Sequence, residues 1–303
     1  MFYTRFWGVR GSIPTPGPTT VLYGGNTACL EIRAGERLLI VDLGTGIKPL
    51  GDWLAANEIK KHPISADIFV THTHWDHIMG FPMFTPVFIP GTRLKIWGSI
   101  SYDGNTLEQV IGAQLSYRYW PIRLDELSAH IEYEELIQDS YDLGGGLHLT
   151  TKYLNHPNLC LGYRFEYEGK SIVTAFDTEP YYNLFITDKN DPAYNEEAAR
   201  EGEQAADTEN RLMQEFIKAA DILVYDTSYT EKEYESHKGW GHSSYETAIN
   251  NSLKAGVKKL ICFHHEPRRS DHDLAVLETE FRSRFASEPL EIIMAREGMT
   301  IEA

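Results

Sequence analysis

Ile68-Phe69-Val70-Thr71-His72-Thr73-His74-Trp75-Asp76-His77 passes from an apolar run to three imidazoles and a carboxylate within six positions. The apolar half reads as a buried strand. The polar half has little structural use. Desolvating such a cluster is costly without a compensating cation, and all four side chains are good ligands for a borderline metal. Alternate residues His72 and His74 can point one way from an extended turn and hold one ion. Asp76 and His77, at the start of a following helix, can hold a second.

Working outward, five other β-like runs end on a chemically capable residue. They are LLIVD to Asp42, LTTKYLNH to His156, SIVTAFD to Asp177, ILVYD to Asp226 and LICFHH to His264. Strand ends are where layered α/β proteins gather their sites. Amphipathic patterns over 47–57, 210–220, 243–255 and 271–285 predict helices between these runs, so the fold class is α/β. Neither a repeat nor a linker divides residues 1–303, which read as a single domain. Two stretches look inserted. Residues 101–127 carry Tyr117, Tyr119 and Trp120, which could form a substrate lid, stack a base, close a homodimer or simply pack. Residues 178–210 hold nine acidic and two basic side chains and read as a surface elaboration.

Net charge is −16, which disfavours long nucleic acid as a partner. A small anionic substrate is still allowed, because bound cations invert the field locally. Cys29, Cys160 and Cys262 lack metal or redox spacing, lie in apolar runs and fit a reducing cytoplasm. The start MFYTRFWGVR lacks the basic-then-apolar build of a signal peptide, and no run is long enough to span a bilayer. A cytoplasmic protein with no membrane contact is expected.

His72-x-His74-x-Asp76-His77 after a buried strand resembles the signature of the metallo-β-lactamase superfamily, and the later motifs follow in family order along nearly the whole chain. The resemblance implies a four-layer αββα sandwich and two divalent ions. His156 in LNHPN would complete the first ion with His72 and His74. His264 in ICFHHEP would complete the second with Asp76 and His77, although the adjacent His265 could take that place. Asp177 in TAFDTE would bridge the two ions, and Asp42 in VDLGTG would support the ligands from behind. Zinc is the default, and manganese or iron also suits the mixed N/O set.

Two further motifs concern the branch. YDTSY at 225–229 and GHSSYETA at 241–248 resemble the paired acid and histidine segments of tRNA 3′-end endonucleases and their small phosphodiesterase relatives. Asp226 matches the acid, and His242 matches the histidine beside the scissile phosphate. The stretch FWGVRGSIPTPG resembles a bacterial subgroup of cyclic-nucleotide phosphodiesterase-like proteins, and within it Arg10 is a candidate phosphate clamp. Asp76, His242 and Asp226 are thus the candidate catalytic residues, with Arg10 and His242 facing substrate. Two cations about 3.5–4 Å apart would hold a bridging water, lower its pKa to about 7 and present the hydroxide to phosphorus. The expected function is a metal-dependent phosphodiesterase acting on a small or cyclic nucleotide. A tRNA 3′-end endonuclease and a thioester hydrolase of the glyoxalase II type are the alternatives.

Overall fold

The apolar run at 68–70 lies in β4 (Ser65–Val70), which pairs in parallel with β3 (Arg37–Val41) on one side and β5 (Arg93–Ser99) on the other. A strand with neighbours on both edges and cover on both faces has no polar side, which is why its last three residues are all apolar. The computed structural model describes residues 1–102 and 104–303; Asp103, inside the 101–127 stretch, lies outside the described residues.

β4 belongs to a mixed sheet that also contains β1 (Phe2–Gly8), β2 (Cys29–Ala34), β6 (His130–Leu136) and β14 (Thr300–Glu302), in the order β14-β1-β2-β3-β4-β5-β6. A second sheet is built from β7 (Ser140–Asp142), β8 (Leu147–Tyr153), β9 (Leu161–Tyr167), β10 (Lys170–Ala175), β11 (Ile222–Asp226), β12 (Lys259–Phe263) and β13 (Glu291–Met294), in reverse numerical order across the sheet. Within it β10 to β13 run parallel, and β7 to β10 run antiparallel.

The two sheets face each other across a dry core. Phe69 of β4 meets Phe165 of β9 edge to face at 5.0 Å, and Phe6 of β1 lies 6.1 Å from Phe263 of β12. Truncating such a buried phenylalanine to alanine costs about 3–5 kcal/mol. Outside the first sheet, α1 (Ile47–Asn57) and α3 (Leu107–Gly112) cover a second apolar cluster that includes Leu50, Leu54 and Ile111. Outside the second sheet, α4 (Glu196–Phe216), α6 (Tyr245–Ala255) and α7 (Asp271–Arg284) cover a third. The layers are therefore αββα, as expected.

The two inserted stretches differ from expectation in detail. The helix expected over 210–220 begins at Glu196, where Asn195 caps it by accepting the Ala198 N–H at 3.0 Å. Gly202, Ala206, Met213 and Phe216 form its buried face, and its acidic residues are spread over the rest. Acidic density hid that sparse apolar stripe in the sequence. In 101–127, Trp120 packs half-buried on the first-sheet cluster, whereas Tyr117 is exposed and bonded to Glu126 at 2.8 Å. Among the described residues no helix is long and apolar enough to cross a membrane.

Candidate metal centre

The chain leaves β3, β10 and β12 through Asp42, Asp177 and His264, and all three have left-handed backbones, with φ of 64°, 42° and 61°. Such a step costs a side-chain-bearing residue about 1–3 kcal/mol, which surrounding contacts must offset. It turns three chemically capable side chains out of the strand direction at one edge of the sandwich. His74 caps α2 (Trp75–Ile78), placing Asp76 and His77 in its first turn.

These side chains converge in two groups that share a carboxylate. His72, His74, His156 and Asp177 offer ligand atoms within 4.8 Å of one another, and so do Asp76, His77, Asp177 and His264. Asp177 Oδ2 lies 3.5 Å from His72 Nε2, and its Oδ1 lies 3.2 Å from both His77 Nε2 and His264 Nε2. His74 Nδ1 and His156 Nε2 are 3.1 Å apart, and Asp76 Oδ2 is 3.2 Å from His264 Nε2. Metal–ligand bonds of about 2.0–2.1 Å at tetrahedral angles would set neighbouring ligand atoms roughly 3.3 Å apart. Separations of this size therefore suit ligands converging on a shared ion.

The hydrogen bonds behind the rings fix which nitrogen faces the centre. Thr71 Oγ1 donates to Asp42 Oδ2 at 2.8 Å, so it accepts from His72 Nδ1 at 3.1 Å. His77 Nδ1 donates to the same Asp42 oxygen at 2.7 Å. His156 Nδ1 donates to the Gly241 carbonyl at 3.1 Å, and His264 Nδ1 to Ser228 Oγ at 3.1 Å. In each of these four rings Nε2 is turned toward the centre, the usual arrangement behind metal-ligating histidines. His72 Nε2, His77 Nε2 and Asp177 Oδ1 are buried without a hydrogen-bond partner. Orphaned groups of this kind are expensive unless something binds them, and a divalent cation supplies what they lack. The residues present thus fit two ions.

The electrostatics agree. Burial pushes His72 well below the ordinary histidine range and His156 down to about 4, which keeps both neutral as ligands must be. His77 is equally buried, but Asp177, Asp76 and Asp42 outweigh that and hold it high without metal. Burial would raise Asp76 and Asp177, yet the surrounding imidazoles hold both carboxylates low and ionised.

His242 lies over this centre. Its ring stacks on His264 with centroids 4.9 Å apart and meets His156 edge-on at 5.6 Å. Its Nδ1 is 2.7 Å from Asp226 Oδ2. Burial opposes its charge, but the Asp226 charge and hydrogen bond prevail and push the imidazole up to about 9. A profile for the metallo-beta-lactamase superfamily matches residues 22–207. The chain belongs to that superfamily. It is 29% identical to Ribonuclease Z from Thermoplasma volcanium, over 94% of each chain. Its fold resembles unliganded yeast PDE1 (TM-score 0.65, 16% identity, 100% of this chain and 99% of the other). It also resembles human tRNase Z, short form (TM-score 0.63, 16% identity, 99% and 98%).

In this superfamily member Arg10 is not at the centre, contrary to expectation. It has no exposed surface, and its guanidinium donates to the carbonyls of Gly24 at 2.7 Å and Arg269 at 2.7 Å. It straps loops together and does not point at a substrate. His265 also turns away: its Nε2 donates to the Ala295 carbonyl at 2.9 Å. Four positions that the sequence reading passed over support the ligands. Thr71 and Ser228 orient rings, Ser12 N–H donates to Asp76 Oδ2 at 2.6 Å, and Gly11 backs the His264 ring, where an added Cβ would lie 2.2 Å from Cε1. All four stand inside stretches already noted: Thr71 before His72, Ser228 in YDTSY, and Gly11 and Ser12 in FWGVRGSIPTPG, where attention went to Arg10.

Proposed function

We propose that the protein is a dinuclear-metal-dependent phosphodiesterase that cleaves a small nucleotide phosphodiester. The observation that carries this reading is the His242–Asp226 pair stacked against the ligand His264. A thiolate leaves a thioester without a proton donor, whereas an alkoxide leaving phosphorus gains from a proton delivered by a fixed cationic acid. Held by His72, His74, His156 and Asp177 and by Asp76, His77, Asp177 and His264, divalent ions would supply an activated water and offset charge on phosphoryl oxygens. The chain's own residues do the rest. Ser228 and the Thr178 N–H hold the Asp226 carboxylate, at 2.8 and 3.3 Å. Asp226 fixes the His242 ring and keeps it protonated. His242 then donates a proton to the oxygen that leaves phosphorus.

A second reading is favoured by one observation. The Thermoplasma volcanium relative is a Ribonuclease Z and is similar over 94% of this chain. An RNA 3′-end endonuclease would use the same centre and the same His242. The net charge of −16 argues against a polyanion that must be held along its backbone.

One experiment separates these readings. Metal content is measured on the purified protein, and turnover is then followed on bis(p-nitrophenyl) phosphate, cyclic nucleotides, a precursor tRNA, a thioester and a β-lactam. Two metal equivalents with cyclic-nucleotide turnover support the proposal. Preference for precursor tRNA selects the second reading, and thioester or lactam turnover alone overturns both.

A further inference from the structure

His242 sits in a short loop, residues 239–243, whose two ends are fastened to one stretch of chain. At one end the Gly239 N–H donates to Glu179 Oε2 at 2.9 Å. At the other, Ser243 Oγ donates to the Thr178 carbonyl at 2.5 Å. Thr178 and Glu179 directly follow Asp177, the carboxylate shared by both ligand groups. Between these anchors the Gly241 carbonyl accepts from His156 Nδ1 at 3.1 Å, and His242 Nδ1 meets Asp226 Oδ2 at 2.7 Å. The loop is thereby laid against the centre, with the His242 ring stacked on His264 at 4.9 Å.

The loop cannot keep this shape by its own backbone preference. Gly239 and Gly241 have φ of 88° and 81°, left-handed steps that glycine enters and leaves freely. A fixed place for His242 must therefore come from contacts, and the one at Gly239 is made by a side chain that has no other part in the reaction. Glu179 is built for it. The residue is 6% exposed, and the same oxygen accepts from Tyr234 OH at 3.1 Å on α5 (Glu231–His237), the helix that leads into the loop. Its own N–H donates to the Asn155 carbonyl at 3.0 Å, and Asn155 Nδ2 donates to the Pro180 carbonyl at 3.1 Å. Its backbone is thus pinned beside the residue that precedes the ligand His156. A buried carboxylate served by a backbone N–H and a phenol is costly to keep, and hydrogen bonds to it are stronger than those to a neutral acceptor.

We infer that Glu179 is a positioning residue: it fastens the 239–243 loop so that His242 stands at the oxygen leaving phosphorus. This rests on the phosphodiesterase reading, in which His242 is the acid. Glu179 is in neither ligand group, so its effect passes through His242 and not through the ions.

The test uses the metal-loaded full chain and phosphodiesters of two kinds. Bis(p-nitrophenyl) phosphate releases a nitrophenolate, which leaves without a proton. The 3′,5′- and 2′,3′-cyclic AMPs release an alkoxide, which leaves with one. On the better cyclic nucleotide, Glu179→Ala should lower kcat by about 10- to 100-fold with KM little changed. Bis(p-nitrophenyl) phosphate should suffer much less. Glu179→Gln keeps an oxygen for the Gly239 N–H and should restore most of the loss. In a His242→Ala background, Glu179→Ala should lower kcat no further, because the group it positions is already gone. Hydrogen exchange over 239–243 should quicken in Glu179→Ala and not in Glu179→Gln. Should Glu179→Ala not fold, Glu179→Asp, one methylene short of Gly239, carries the same test. Equal losses on both kinds of substrate, a full further loss in the His242→Ala background, unchanged exchange or a lost metal equivalent each overturn the proposal. Turnover of bis(p-nitrophenyl) phosphate without either cyclic nucleotide also overturns it and leaves the phosphodiesterase reading intact. No phosphodiester turnover at all overturns both.

Discussion

His242 Nδ1 lies 2.7 Å from Asp226 Oδ2, and Asp226 has no exposed surface. The carboxylate pushes the imidazole from its ordinary 6.5 up to about 9. If the protonated ring is the acid, kcat on a phosphodiester falls on the alkaline side as pH rises through about 9. Asp226→Asn removes the charge, so the falling limb moves toward acid. The same shift contributes stability that is fully present below about 6.5 and lost as pH climbs through about 9. A pH–rate profile of both proteins checks the assignment, and an unmoved limb in Asp226→Asn rejects it.

Replacing His242 with alanine removes the proton donor and the ring stacked on His264, but leaves all seven side chains of the two ligand groups in place. Phosphodiester kcat should drop by about 10²- to 10⁴-fold while two metal equivalents remain. Any thioester cleavage should fall much less, since no phosphoryl charge develops there. Wild-type phosphodiester turnover in this variant would remove the main reason for preferring this reaction class.

The clustering of the ligands was legible in the sequence because most follow a strand that is apolar for its own reasons; β8, ahead of His156, is the mixed exception. β4 and β12 are buried on both faces, so Val70 and Phe263 mark where polarity must begin. Ligand type and strand-end position then do the work together. Arg10 shows the limit of that reasoning. A lone arginine in a glycine-rich turn looks the same whether it faces a phosphate or three carbonyls, because its partners come from residues 24, 266 and 269. The start of α4 was hidden for a different reason. Its buried face uses Gly202 and Ala206, which carry almost no hydrophobic signal.

Arg10 as a strap and Arg10 as a clamp predict opposite outcomes. Arg10→Ala leaves the Gly24, Glu266 and Arg269 carbonyls without their donor inside the protein. The cost should be about 3 kcal/mol or more, read as a lower urea midpoint. A clamp would instead give wild-type stability and a raised KM.

His264 and His265 are neighbours with opposite duties. His265→Ala should keep both metal equivalents but lose about 1–3 kcal/mol, because the buried Ala295 carbonyl loses its donor. His264→Ala should lose one equivalent. Metal analysis of the two variants side by side decides between them, and loss of metal from His265→Ala reverses the assignment.

Gly11 offers the sharpest test of how the second ion is held. Its backbone needs no left-handed step, so the only reason for glycine there is space. A Cβ would lie 2.2, 2.4 and 2.7 Å from Cε1, Nδ1 and Nε2 of His264. The ring cannot slide away cheaply, because its Nδ1 is held by Ser228 Oγ at 3.1 Å and His242 stacks on it at 4.9 Å. Gly11→Ala should therefore displace His264 Nε2 from the position it shares with Asp76 and Asp177. Affinity for the second ion should fall by about 10- to 100-fold, as when a supporting contact of a ligand is lost. The first ion, held by His72, His74 and His156, should keep its affinity. Gly17→Ala is the matched control, since an added Cβ there meets nothing within 4 Å. Metal titrations should match wild type in Gly17→Ala and show one site weakened in Gly11→Ala. Two wild-type affinities in Gly11→Ala would mean that His264 does not hold the second ion.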